Sequence, residues 1–224
     1  MRRNPLPLFL LALLTTSPAP AQRGDFDNLL GDDLSQWESV GDGIWKLTPD
    51  GILIGRRTVT DESQAIIQDA SFDAWRSSQA WLYTKKEYGE YDLHLDYFVS
   101  APGNSGVSIR DQSRARFAVT VPPDAQRTPA HVGYEIQINA GGTDQWPTGS
   151  IYGLERAKTG VEKLDAWNSL NIESRQSGIR VSINGIVVAE HAGLPDRPLT
   201  GPVGLQLHDR GSVVMFRDIW LMER

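Results

Sequence analysis

The chain contains no cysteine, and that absence removes disulfides, thiolate nucleophiles and cysteine-based metal sites together. Histidine is scarce, with four in 224 residues, and the four show no metal-ligand spacing. Runs of basic residues are missing too, and the formal net charge of −6 leaves no electrostatic footprint for nucleic acid. Long apolar stretches are confined to Leu6–Leu14, which is too short to span a bilayer. Helical periodicity is also hard to find, so an α-helical domain is not expected. Stability has to come from core packing, and any chemistry from carboxylates, amides, imidazoles, guanidinium groups and aromatic rings.

The N-terminus reads as an export leader: Arg2 and Arg3, the apolar run, then small residues ending Ala19-Pro20-Ala21. Cleavage after Ala21 is expected, with Pro18 and Pro20 arguing against a packed N-terminal helix. Losing the two leader arginines leaves 20 basic and 28 acidic residues, a charge of −8, on a chain expected to be periplasmic or secreted and not membrane-bound. Roughly 200 mature residues, 22–224, suit one domain.

What the chain has in quantity is period-2 alternation broken by Gly, Pro, Asn and Asp. The spacing predicts strands at Ile44–Leu47, Ile52–Gly55, Trp81–Thr84, Tyr91–Ser100, Val107–Arg110, Tyr134–Ile138, Ile151–Gly153, Ser169–Glu173, Ile179–Ile183, Ile186–Glu190, Val203–His208 and Val213–Met222. Asn184-Gly185 between two β-branched runs predicts a tight hairpin, because both central residues of a type I′ turn need positive φ. Phe216 and Ile219 cannot share one face at period 2, which predicts a bulge in the last strand. Asp61–Ser78 fits a short helix or a long loop, and the Pro-rich Thr120–His131 an exposed excursion. The fold class expected is all-β, a two-sheet antiparallel jelly-roll sandwich.

Three of these segments, NSGVSIR (104–110), GYEIQIN (133–139) and GPVGLQLH (201–208), carry chemically capable polar residues at the alternate positions. If Val107, Ile109, Tyr134, Ile136, Ile138, Leu205 and Leu207 face the core, the opposite face presents Arg110, Glu135, Gln137, Gln206 and His208. Bland readings exist: Arg110 and Glu135 as a cross-strand ion pair of about 0.2–1 kcal/mol, His208 as a solvated edge residue, the glutamines as polar filler. Trp37, Trp45 and Trp220 sit in apolar context and are expected in the core. Trp81, Trp146 and Trp167 are candidates for stacking on a sugar ring, with a core-edge lid as the alternative for Trp146. His94, on the polar side of its strand, reads as solvated or hydrogen-bonded. Asp25, Asp27, Asp32 and Asp33 lack the ladder of a calcium loop, while a divalent metal held by residues from several strands, Glu135 and His208 among them, stays open.

The order of landmarks resembles the 3-keto-disaccharide hydrolase family, also known as domain of unknown function 1080. The landmarks are Leu30-Gly31-Asp32-Asp33-Leu34 and Trp37, Trp45 with Asp50-Gly51, Tyr88-Gly89-Glu90-Tyr91-Asp92-Leu93, NSGVSIR, GYEIQI, Thr148-Gly149-Ser150-Ile151-Tyr152, Trp167-Asn168, Ile183-Asn184-Gly185, GLQLH and Phe216-Arg217-Asp218-Ile219. The resemblance implies a concanavalin A-like (or laminin G-like) jelly roll, export, and cleavage of glycosides already oxidised to a ketone at C3, by elimination and hydration. It also implies a sugar 3-dehydrogenase as the supplier of the ketone. The Thr120–His131 segment is longer than the family's usual spacer.

The residues suit that chemistry better than ordinary glycoside hydrolysis, which needs two carboxylates about 5–10 Å apart. Jelly-roll glycosidases of the laminarinase type carry Glu-x-Asp-x-x-Glu; here the alternation is Glu135-Ile-Gln137-Ile-Asn139, with one carboxylate. A 3-ketone acidifies the C2 proton, so one base, one proton donor and an oxyanion stabiliser suffice. The expectation is that Glu135 and His208 divide the acid and base roles and Arg110 stabilises the enolate. Asn104, Gln137, Gln206, Tyr152, Trp146 and Trp167 would then bind the saccharide, with no cofactor evident. Two other classes compete: a lectin-like carbohydrate-binding module, and a laminin G-like interaction domain docking a partner through its loops.

Overall fold

A computed structural model of the chain describes residues 26–57, 79–120, 123–141 and 145–224. The expected leader and the Asp61–Ser78 segment lie outside them. Thirteen strands occur among the described residues: β1 (Asp27–Asn28), β2 (Trp37–Val40), β3 (Gly43–Leu47), β4 (Leu53–Arg57), β5 (Ala80–Thr84), β6 (Tyr91–Val99), β7 (Gly103–Ile109), β8 (Tyr134–Ala140), β9 (Asn168–Arg175), β10 (Gly178–Ile183), β11 (Ile186–His191), β12 (Val203–Leu207) and β13 (Val214–Glu223). A single helical turn, α1 (Pro129–Val132), precedes β8.

The strands form two sheets with antiparallel neighbours throughout. The larger runs β11-β10-β9-β6-β13-β4-β3, with β1 on β13, and the smaller runs β2-β5-β12-β7-β8. Alternation does what it should in β6: Tyr91, Leu93, Leu95, Tyr97 and Val99 are buried, and Asp92, His94 and Asp96 stand on the half-wet side. These meet Val107, Ile109, Ile136, Ile138, Leu205 and Leu207 from the smaller sheet in one continuous core. Each such side chain contributes roughly 1.5–3 kcal/mol on burial. The Asn184-Gly185 hairpin joins β10 to β11 with φ of 51° and 80°, and β13 is bulged between Arg217 and Trp220, with Asp218 at φ 51°.

Several expectations are corrected here. Trp220 lies on the half-exposed outer side of β13, because the bulge puts Ile219 and Leu221 inward instead. Ile151–Gly153 is no full strand; Ile151 makes isolated bridges to Ile136 and Glu155, within a loop that follows the edge of β8. The Thr120–His131 excursion is not exposed throughout, since Thr128, Pro129 and Ala130 at its end are buried around α1.

The two sheets differ in one respect that bears on function. The outer side of the larger sheet is half-exposed, and its His94 Nδ1 lies 2.9 Å from Asn171 Oδ1. The smaller sheet is buried on both sides: every residue of β5 and β12, and nearly every residue of β7 and β8, is out of solvent. A sheet surface that faced only water would not bury Gln79, Ser108, Glu135, Gln137, Gln206 and His208.

Candidate functional site

Register fixes which of these polar residues are neighbours. Ser108 pairs with Glu135 and Gly204, Gly106 with Gln137, and Gln206 with Trp81. Residues directly opposite share a face, so Trp81, Tyr83, Gln206, Ser108, Glu135 and Gln137 lie side by side on the side of the smaller sheet that faces away from the core. Asn104, two residues before Gly106, continues that face and accepts a long 3.5 Å hydrogen bond from Gln137 Nε2. His208, two residues past Gln206, is buried, and its carbonyl accepts from Arg57 Nη1 at 2.8 Å, which anchors the end of β12. Of the residues expected at the site, Glu135, Gln137, Gln206 and Asn104 are thus brought to one sheet face, and His208 follows directly on the last residue of β12.

Two glycines open space on that face. At Gly106 a Cβ would lie 2.9 Å from Glu135 Oε1 and 3.2 Å from Gln206 Oε1, so the carboxyl and the amide reach towards each other over the bare backbone of β7. At Gly204 a Cβ would fall 2.3 Å from Tyr83 Cε1, so the phenol ring lies across the gap. Tyr83 then donates to Asp111 Oδ2 at 2.9 Å. Asp111 also accepts from Ser113 N, Ser113 Oγ and Ala115 N, at 2.9, 2.6 and 2.7 Å. It thereby pins the 111–119 loop on the sheet, with Ala115 and Ala118 packed on the stacked rings of Trp81 and Tyr83, 5.6 Å apart. Trp81, with its Nε1 donating to Gln79 Oε1 at 2.9 Å, is fully buried under this loop and offers no ring face to a sugar.

The electrostatics single out Glu135. Burial pushes its carboxyl up to about 8; the nearby Gln206 amide counters part of the rise, and no cation among the described residues does so. The fully buried Gln206 amide has no close partner other than the Glu135 carboxyl it faces. Burial and the Asp111 charge likewise hold the Tyr83 phenol well above its ordinary value, so it stays neutral. A carboxyl whose proton affinity matches neutral pH, next to a buried amide that faces it, can give or take a proton and stabilise a developing negative charge.

Tyr152 and Trp146 flank this face at its edge. The bridge of Ile151 to Ile136 places Tyr152 across from Glu135, with Tyr152 N donating to the Glu135 carbonyl at 2.8 Å. The rings of Trp146 and Tyr152 lie 5.7 Å apart, both half-buried.

Arg110 and Trp167 do not join them. Arg110 follows the last residue of β7 with φ 60°, a left-handed turn that ends the alternation and sends the guanidinium to the core side. There its Nε and Nη2 donate to Ser174 Oγ at 3.1 and 2.8 Å, and Nη2 donates to the Arg175 carbonyl at 2.7 Å, beside the Tyr134 ring. Trp167 precedes β9 and packs against Phe98 at 6.0 Å, with the Arg217 guanidinium 4.1 Å from its ring centre, on the outer side of the larger sheet. Reading the sequence alone missed Tyr83, Ser108 and Asp111. The Asp-x-Ser turn after Arg110 is the one local signal for the last.

The family model for the 3-keto-alpha-glucoside-1,2-lyase-like domain matches residues 25–222. The chain belongs to this family. The fold is shared with a candidate glycosyl hydrolase of Parabacteroides distasonis ATCC 8503, at 23% identity and a TM-score of 0.63, covering 89% of this chain and 99% of that one. The carbohydrate binding module CBM66 of Bacillus subtilis superposes with a TM-score of 0.56 at 13% identity, covering 84% and 96%. The beta-glucanase of Bacillus licheniformis does so at 0.52 and 10%, covering 89% and 97%. No curated protein matches the chain. At these identities the structural likenesses show the concanavalin A-like sandwich fold alone, and the family gives a carbohydrate-related role. Among the described residues no three His, Asp or Glu side chains are grouped to hold a metal ion.

Gly106 provides a direct test of this geometry. Gly106→Ala should displace the Glu135 carboxyl while leaving the sheet intact, and a displacement of about 1 Å can cost about 10²-fold in rate. The expected outcome is a large fall in kcat on a 3-keto-glucoside with an unchanged β-sheet circular dichroism spectrum.

Proposed function

We propose that the protein is an exported enzyme that cleaves 3-keto-glycosides by proton abstraction, elimination and hydration. The observation that carries this reading is Glu135: a buried carboxyl with no cation beside it among the described residues, held near neutral pH in its proton affinity and facing the buried Gln206 amide. Glu135 takes the C2 proton, made acidic by the C3 ketone, and the C2–H electron pair moves into an enolate. The Gln206 amide replaces Arg110 as the group that stabilises the enolate oxygen. Collapse of the enolate breaks the C1–O bond, His208 donates a proton to the departing oxygen, and the sugar is left as a 2-hydroxy-3-keto-glucal. Water then adds across C1 and C2, giving the 3-keto-hexose. Asn104, Gln137, Tyr152 and Trp146 bind the saccharide around the reacting ring.

Export rests on the leader-like N-terminus, and the ketone implies that a sugar 3-dehydrogenase acts first. The test is incubation of the purified mature chain with 3-keto-trehalose or 3-keto-lactose, followed by NMR. Released hexose together with a glucal intermediate is the expected result. Saccharide binding without any turnover would overturn the enzyme reading in favour of a lectin-like module.

A further inference from the structure

At the far end of β8, a cavity of about 250 Å³ opens between that strand and the 158–164 loop, lined by Asn139, Pro147, Thr148, Lys158, Glu162 and Leu164 among others. Asn139 is four residues along the strand from Glu135, a distance of about 13 Å. The cavity is therefore not the space in front of the Glu135 carboxyl.

Its polar centre is Glu162. One carboxyl oxygen, Oε1, accepts from both Tyr97 Oη at 3.0 Å and Thr148 Oγ1 at 2.9 Å, and Thr148 Oγ1 in turn accepts from Asn139 N at 2.8 Å. These bonds fix the carboxyl from the core side and tie it to β8. The other oxygen, Oε2, accepts nothing from any described residue, which leaves its lone pairs for a ligand in the cavity. Pro147 and the exposed Leu164, 55% accessible, supply apolar wall.

We propose that this cavity is a second saccharide site, one hexose ring in size, that holds an unoxidised sugar by its vicinal hydroxyls on Glu162 Oε2. The volume lies below the ~300–1,000 Å³ typical of drug-sized ligands and suits a single ring. A carboxylate at the centre disfavours an anion, and the absence of a further carboxylate or imidazole cluster among the described residues disfavours a divalent cation. A neutral ligand with adjacent hydroxyl donors and an apolar C–H face fits what remains, with Lys158 at the wall as a further donor. That the polyol is a sugar rests on the function proposed above. Burial raises the Glu162 carboxyl, so binding should weaken as pH falls and the acceptor is protonated.

Isothermal titration with methyl α-D-glucopyranoside, which lacks a ketone and cannot react, tests the site. Wild type and Glu135→Gln should bind it equally, and Glu162→Gln, whose amide oxygen can still accept from Tyr97 and Thr148, should bind at least tenfold more weakly. Leu164→Asp at the exposed wall, which does not challenge folding, should weaken binding in the same direction. No binding by the wild type, or an affinity that depends on Glu135 as much as on Glu162, would overturn the proposal. Turnover of 3-keto-trehalose is read separately: its absence with glucoside binding intact sinks the reaction and leaves the second site standing.

Discussion

Glu135→Gln is expected to give a protein that is nearly inert and yet more stable than the wild type at alkaline pH. Removing a positioned base costs about 10²–10⁴-fold, read as kcat on 3-keto-trehalose. The stability gain follows from linkage. The folded carboxyl titrates at about 8 against an ordinary value of 4.5, so the folded state binds this proton more tightly than the unfolded state does. The wild type is therefore most stable with respect to this group below about pH 4.5, loses stability as pH rises towards 8, and levels off above it. At 1.36 kcal/mol per pH unit the loss is on the order of 5 kcal/mol. A glutamine has nothing to ionise, so urea midpoints of the variant should fall less across that window than those of the wild type, the remainder coming from other buried acids such as Glu162. The rate should show the complementary trend, with kcat/KM rising to about pH 8 as the base ionises. Midpoints that fall equally in both proteins would show that Glu135 is not the buried acid described here.

Much of this was legible from alternation alone. In β6 and at Glu135, Gln137 and Gln206, period 2 named the correct face, because a strand buried against a core has only two sides and the apolar residues mark one of them. The second layer over that face was not legible. Nothing in AWLYT (80–84) says that Tyr83 will bond Asp111, a residue on another segment, or that Ala115 and Ala118 will cover Trp81. Burial of Glu135, and with it the shift that makes it interesting, depends on that cover. Trp167 was misplaced for a related reason: a tryptophan just before a strand can turn to either side, and only the contacts with Phe98 and Arg217 decide it. Arg110 failed differently. Alternation carries a residue to the catalytic face only while the strand continues, and arginine gives no local sign of a left-handed turn.

The sign was in the residues that lead into the neighbouring strands β8 and β12. A Cβ at Gly201 would meet Arg110 Cα at 2.6 Å, and one at Gly133 would meet Asp111 N and Ile109 O at 2.6 Å, so the kinked backbone is held between two glycines. Arg110 is 1% exposed, and its guanidinium fills the end of the core beside Tyr134 and satisfies Ser174 Oγ and the Arg175 carbonyl. Arg110→Ala removes that volume and strands both acceptors, and a loss of roughly 2–5 kcal/mol is expected in urea unfolding. Arg110→Lys, which keeps a charge but cannot reproduce the fork, should lose less and stay folded for kinetics. Its kcat/KM should remain within a few-fold of wild type, whereas loss of an oxyanion-stabilising group costs about 10²–10³ in kcat. An Arg110→Lys protein with wild-type stability and a hundredfold rate defect would return Arg110 to the reacting face and displace Gln206 from the role given to it.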